Sequence, residues 1–441
     1  VTLEEGNVAP SLAQGAPVEV ELHRSAAPEH WSGRTYTIGL LILICAVYAI
    51  DKVSIAVVIE SIGKDFGLRD SQRGLLTGMG YGIAFAMACI PAGMLIDRYS
   101  RKWVLTGLLA AWSAFTVVCG LAPNFPLLFG CRLLVGAAEA GAFPATMSLL
   151  CDLVTPRRRA TAVSMVYVGA GLGASCAAVG GAAVAERFGW KATFFAAGVL
   201  GLLLAIVLAL TVREPKRGAT GMSTSAEAQS LPQVARFLAS QRVLIHTFIA
   251  ATCAATAGAV LNSWCVSFFV RWHHVSLARA GLIFAAAVGP GIILGAFLGG
   301  VAGDGLSRRS PAGRVRLAGI ATAAGIPLAV FTFNTPVLAR AACGFFALTL
   351  VVSMFYAPAA ATIVSYTPSR MRGVMLSLKE VLANLVGLGA GPLLVGGLSD
   401  LWGGDQSLRP ALLTILIACL LLSAGNFFIA ATLATRRHPV N

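Results

Sequence analysis

Several ionisable residues interrupt long apolar stretches: Asp51, Lys52, Arg132 and Glu139 in the first half of the chain, Arg340, Lys379 and Glu380 in the second. An ionised side chain in hydrocarbon costs at least ~2.5–3.5 kcal/mol on insertion scales, so such residues are functional by default. Asp51 and Lys52 are adjacent, about 100° apart on a helix, and cannot face one group together. Arg132 and Glu139 lie seven apart, two turns, and share a helix face. Desolvation disfavours an ionised carboxyl and a nearby cation favours it. Motion that parts Asp51 or Glu139 from Arg132 would therefore bind or release a proton. Asp51 and Glu139 are expected to face a cavity and exchange protons. Lys52 and Arg132 are expected to neutralise them or to hold an anionic group of a substrate. A static network that only fixes helix packing is the competing reading.

The elements that position these residues follow from composition. The 441 residues are 57% hydrophobic and only 12% charged, with a mean hydropathy of +0.79. Soluble chains sit near 45–50% apolar and about 25% charged, so this is an integral membrane protein. Apolar runs of about 20 residues suffice to cross a bilayer as helices. Twelve occur, near 36–59, 72–96, 103–122, 126–150, 160–184, 191–212, 244–270, 278–302, 314–333, 337–364, 372–397 and 409–434. They do not alternate as barrel strands would. The net charge of +14 reads as a topology signal rather than a nucleic-acid surface. With both termini in the cytoplasm, 21 of the 33 Lys and Arg residues fall on cytoplasmic segments and 8 outside, as the positive-inside rule requires. The ten cysteines form no CxxC pair and no cluster with His, so no metal or other cofactor is expected. No phosphate-binding G-x-x-x-x-G-K-[ST] loop occurs.

The chain repeats internally. Gly93-Met94-Leu95-Ile96-Asp97-Arg98-Tyr99-Ser100-Arg101-Lys102 follows span 2, and Gly300, Asp304, Arg308 and Arg309 stand at the same spacing after span 8. A second echo pairs Thr155-Pro156-Arg157 with Thr367-Pro368-Ser369-Arg370. The expected organisation is a cytoplasmic tail (1–33), a six-helix bundle (34–212), a polar linker (213–243), a second six-helix bundle (244–435) and a short cytoplasmic tail (436–441).

The segment 93–102 resembles the loop signature of the major facilitator superfamily. Ile50-Asp51-Lys52, Arg132 to Ala140 with Pro144, Phe188-Gly189-Trp190, Thr211-Val212-Arg213-Glu214-Pro215 and Asn384 to Pro392 resemble its Spinster-like branch, and shade into the organic anion:cation symporters. The resemblance implies an all-α fold of twelve transmembrane helices in two pseudo-symmetric halves. It also implies a monomeric, non-enzymatic secondary transporter in the plasma or inner membrane. Proton-coupled movement of an organic anion or lipid-like substrate is the leading reading, a sugar-acid or carboxylate:proton symporter the runner-up, and drug efflux the less favoured. Where the Spinster-like pattern has Arg after the span 1 Asp, this chain has Lys52, a point charge without Arg's bidentate fork.

A cytoplasmic gate is expected from Gly93, Asp97, Arg98, Arg101, Lys102, Asp152, Arg158, Asp304 and Arg308. Asp97 would face the N-terminus of span 11, where anions are favoured, and Arg101 would pair with Asp152. In the second half, Arg340 either anchors an anion or snorkels, and Lys379 with Glu380 forms a cavity site or a structural pair. Asn262, Trp264, Tyr356 and Asn384 are expected cavity contacts.

Overall fold

The computed structural model describes residues 31–155, 158–215, 231–310, 312–368, 371–404 and 406–437. The tail up to residue 30, linker residues 216–230, residues 438–441 and parts of the second echo (156–157 and 369–370) lie outside the described residues.

Among the described residues, twelve helices are long and apolar enough to cross a membrane: Gly33–Phe66, Asp70–Arg98, Arg101–Leu121, Phe125–Leu153, Thr161–Phe188, Trp190–Thr211, Arg242–Trp272, Leu277–Ser307, Gly313–Asn334, Leu338–Tyr366, Arg372–Trp402 and Leu408–Thr435. These are spans 1 to 12. Several outrun their apolar stretches. Span 1 was expected over 36–59 and runs from Gly33 to Phe66, about 50 Å at 1.5 Å per residue against a hydrocarbon core of about 30 Å. Hydropathy marks only the part inside lipid, whereas the helical hydrogen bonds continue through the interfacial layer. Large apolar side chains such as Met87, Leu210, Phe297 and Leu401 stand exposed, facing where lipid would be.

Span 3 packs on span 6, span 1 on span 5 and span 2 on span 4; in the second half span 7 packs on span 12, span 9 on span 12 and span 8 on span 10. The fold is all-α, two six-helix halves. The even span number puts the start of span 1 and the end of span 12 on one side, here the near side; the other is the far side. Spans 2, 5 and 11 each contain a π-helical segment, at Leu75–Met79, Ala177–Gly181 and Ala383–Ala390. All three lie where the halves meet, a placement in keeping with the functional bias of such segments.

The linker expected to be a polar connector contains a helix, Leu231–Ser240. Val234 is buried and packs with Phe237, Leu238, Leu244, Phe248, Ile363 and Met375. The signal was present as Val234, Phe237 and Leu238 at three- and four-residue spacing, masked by the polar residues around it.

Candidate functional site

The four charges of the first half meet in the middle of their bundle. Arg132 is 1% exposed, Asp51 2% and Glu139 0%. Arg132 Nη1 donates to Asp51 Oδ2 at 3.1 Å, and Thr116 Oγ1 donates to Asp51 Oδ1 at 2.5 Å. Glu139 takes a different partner: Tyr81 OH donates to its Oε2 at 2.7 Å. No donor reaches buried Glu139 Oε1, and buried Arg132 Nε has no acceptor; the Glu139 carboxyl stands within hydrogen-bonding reach of the Asp51 carboxyl and within electrostatic reach of Arg132. The Lys52 ammonium sits over the rings of Tyr48 and Tyr81, 5.6 and 5.2 Å from their centroids. Tyr48, Tyr81 and Thr116 were not singled out from sequence. Their signal was a hydroxyl in an apolar span, which needs a partner when buried.

Between the halves lies a cavity of about 230 Å³. Lys52, Thr77, Tyr81 and Arg132 line it from the first half, and Asn262, Tyr356, Lys379, Glu380 and Asn384 from the second. Asp51 and Glu139 are not among the lining residues, which corrects the expectation that both carboxyls face it. The seven-residue spacing does set Arg132 and Glu139 on one face. However, the regular helix stops at Glu139, and Tyr81 lies between that carboxyl and the cavity. Lys379 Nζ is 2.6 Å from Glu380 Oε1 and 6.0 Å from the Tyr356 ring centroid, so this pair is both an ion pair and part of the wall. Trp264 is buried, its Nε1 donating to the Pro392 carbonyl at 3.2 Å; it packs spans 7 and 11 and is absent from the lining. Arg340 is exposed at the start of span 10, away from the cavity. The span end leaves it at the surface, where a long side chain can reach water. Among the described residues no cluster of three His, Cys, Asp or Glu could hold a metal.

The profile of the Major Facilitator Superfamily matches residues 40–390. The chain belongs to that superfamily. It is 28% identical over 415 residues to an MFS-type efflux pump of Mycolicibacterium smegmatis, covering 92% of this chain and 94% of that protein. It is 25% identical over 420 residues to the sphingosine-1-phosphate transporter SPNS2 of Xenopus tropicalis, covering 90% and 80%. Its fold matches the crystal structure of a bacterial homologue of the human lysosomal transporter Spinster, inward-facing and unoccupied. There the TM-score is 0.84 at 25% identity, over 94% of this chain and 100% of that one. The chain is therefore a major facilitator superfamily protein of the Spinster branch, an integral membrane protein whose relatives are transporters.

The superfamily's loop residues sit on the near side. Arg101 is buried, paired with Asp152 and with Glu214, its Nε 3.0 Å from Glu214 Oε1. Glu214 also accepts from Ser100 Oγ at 2.7 Å and from the Lys102 backbone N–H at 2.7 Å, capping the N-terminus of span 3. Burial opposes ionisation of Glu214, but these hydrogen bonds and the Arg101 charge outweigh it and hold its carboxyl below the usual range. Lys102 Nζ donates to the Ala209 carbonyl at 2.7 Å. Asp304 pairs with Arg314 at 2.8 Å. All of these contacts stay within one half. Gly93, Asp97, Arg98, Arg158 and Arg308 are half-buried or exposed, and so are Arg372 and Gly373 at the near end of span 11.

On the far side the halves are bound together. Arg271 of span 7 reaches across to span 1 and span 2: its Nε donates to Glu60 Oε2 at 3.0 Å, its Nη1 to Asp70 Oδ2 at 2.9 Å and its Nη2 to Asp70 Oδ1 at 2.7 Å. Ser399 Oγ of span 11 donates to Asp70 Oδ2 at 2.7 Å. Asp400 accepts from the backbone N–H groups of Asp70 and Ser71 at 2.9 and 3.0 Å, a carboxylate at a helix N-terminus. Spans 2 and 11 cross closely here: a Cβ on Gly74 would strike the Pro392 carbonyl, and one on Gly396 the Asp70 carbonyl. This network was missed from sequence, where Arg271 was one of the eight cations counted outside and read only for topology.

Proposed function

We propose that this protein is a proton-coupled secondary transporter for an organic anion with an apolar body, working by alternating access. Glu139 carries the reading. It is fully buried, one oxygen accepts from Tyr81, the other has no donor, the Asp51 carboxyl stands within hydrogen-bonding reach, and Arg132 is committed to Asp51. A buried carboxyl whose cation is engaged elsewhere is least costly when neutral, and the Asp51–Arg132 pair beside it can be broken by a substrate that competes for the guanidinium. Lys52 and Lys379 bring positive charge to the cavity from opposite halves, and Tyr81 and Tyr356 offer ring faces to an apolar body. The far-side network and the exposed near-side ends of spans 2 and 11 support reading this form as open to the near side. That side is the cytoplasmic one if the cation bias sets orientation, which would put both termini inside. We take the protein to act as a monomer in the plasma or inner membrane.

The test is uptake into proteoliposomes under an imposed pH gradient, comparing wild type with Glu139→Gln and Asp51→Asn. Loss of the pH dependence with retained exchange is expected; normal pH-dependent uptake in both variants would sink the proposal. A second reading, a small polar carboxylate such as a sugar acid, draws on Asn262, Ser263, Ser353 and Asn384 in the wall. A thermal-shift screen with lysolipids, sphingoid bases and sugar acids separates the two, since binding stabilises in proportion to the logarithm of concentration above Kd.

A further inference from the structure

Glu139 is sealed from the cavity, which raises the question of how a proton reaches it. The groups facing its carboxyl are Asp51 of span 1, Tyr81 of span 2 and Arg132 of span 4. Arg132 holds its protons permanently. Asp51 is buried, with one oxygen on Arg132 and the other on Thr116. Arg132 also lines the cavity, but Tyr81 is the group that both lines it and donates a hydrogen bond to Glu139, at 2.7 Å. Its single hydroxyl proton is therefore committed to Glu139, so in the 3.3 Å contact between the Tyr48 and Tyr81 hydroxyls Tyr48 must be the donor. Tyr48 is not one of the cavity's lining residues, but it is half-buried and lies beside Lys52, which is one of them.

We propose that Tyr48 and Tyr81 form a two-hydroxyl wire that carries the proton between the water that reaches half-buried Tyr48 and the sealed Glu139. The inference rests on Glu139 being the proton site. In the inward step the Tyr81 O–H bond breaks as its proton passes to Glu139 Oε2. The Tyr81 oxygen takes the Tyr48 proton, and Tyr48 is reprotonated by a hydronium ion at its solvent-accessible face. Glu139 ends neutral, both tyrosines end unchanged, and one positive charge has left the water. The outward step reverses each transfer. The Lys52 ammonium over both rings stabilises negative charge developing on either oxygen. A substrate anion that draws Lys52 toward itself weakens that help, which ties the wire's conductance to occupancy of the cavity.

The experiment is a pH jump on the full chain in liposomes, followed by time-resolved infrared spectroscopy of the protonated-carboxyl C=O stretch that Glu139→Gln removes. With a jump large enough to protonate the group fully, Tyr81→Phe should reach the wild-type amplitude about a hundredfold more slowly, the scale of a positioned proton-transfer group. Tyr48→Phe, which removes only the outer hydroxyl, should also slow the rise, and it remains informative if Tyr81→Phe folds poorly. A stretch that Glu139→Gln leaves in place overturns the proton-site reading and the wire together. A stretch that Glu139→Gln removes, yet that forms at the wild-type rate or faster in both tyrosine variants, overturns the wire alone.

Discussion

Arg271→Ala tests whether the far-side network sets the resting conformation. Arg271 makes charge-assisted hydrogen bonds to Glu60 and a two-pronged contact with Asp70, with side-chain exposures of 20%, 7% and 10%. Removing one member of a buried ion pair costs about 3–5 kcal/mol when the partner charge is stranded. Here the stranding is partial, because Asp70 keeps Arg73 at 2.6 Å and Ser399 at 2.7 Å, so the low end, about 3 kcal/mol, is the better figure. Opening the far side would hydrate Glu60 and Asp70 whether or not Arg271 is present, so most of that cost falls on the closed form. About 2.8 kcal/mol is a factor of a hundred, which brings a population held about 99:1 toward the closed form close to parity. Spin labels at the exposed positions Lys64 and Gln406, in a background with the ten cysteines replaced, report the far-side separation of the halves by pulsed dipolar spectroscopy. A second, longer distance should appear in Arg271→Ala. Arg271→Lys should fall between, since it keeps the charge and loses the fork. A single distance identical to wild type in Arg271→Ala would refute the reasoning.

Gly396→Val should act in the same direction, because its side chain collides with the Asp70 carbonyl, and the same labels should show the longer distance growing. Arg132→Met should lower stability by about 3–5 kcal/mol by stranding Asp51; the double variant Asp51→Asn/Arg132→Met should lose clearly less, and simple additivity in thermal unfolding would contradict the pairing. Glu214→Gln should reduce thermal stability at neutral pH. Because the folded-state carboxyl is held below the usual range, its contribution is complete above the unfolded value and is lost as pH falls through the folded one. The gap between wild type and Glu214→Gln should therefore close on acidification, and a gap that persists at low pH would count against the cap.

How much of this was legible beforehand differs by element. The Asp97–Arg101 segment and its copy at Asp304 marked two related halves, and Asp51, Arg132 and Glu139 stood out because each breaks an apolar run. Their partners did not. Arg132 was read as serving both carboxyls, but it serves Asp51, 81 residues away, while Glu139 is held by Tyr81, 58 residues away. Trp264 was expected at the cavity and is packing instead, and of the two roles left open for Arg340 the surface position fits the snorkelling one.

The sequence by itself determined that this is a membrane protein of twelve helices, because hydropathy is a local sum over about 20 residues and needs no knowledge of neighbours. Only the tertiary structure decided which charges meet. Arg271 and Glu60 are 211 residues apart, and their contact depends on the rotation and crossing of helices from different halves. A residue's polarity says nothing of which way its helix is turned. The same physics explains why Tyr81 was passed over: its importance lies in standing between a sealed carboxyl and a cavity, and both exist only once the spans are packed.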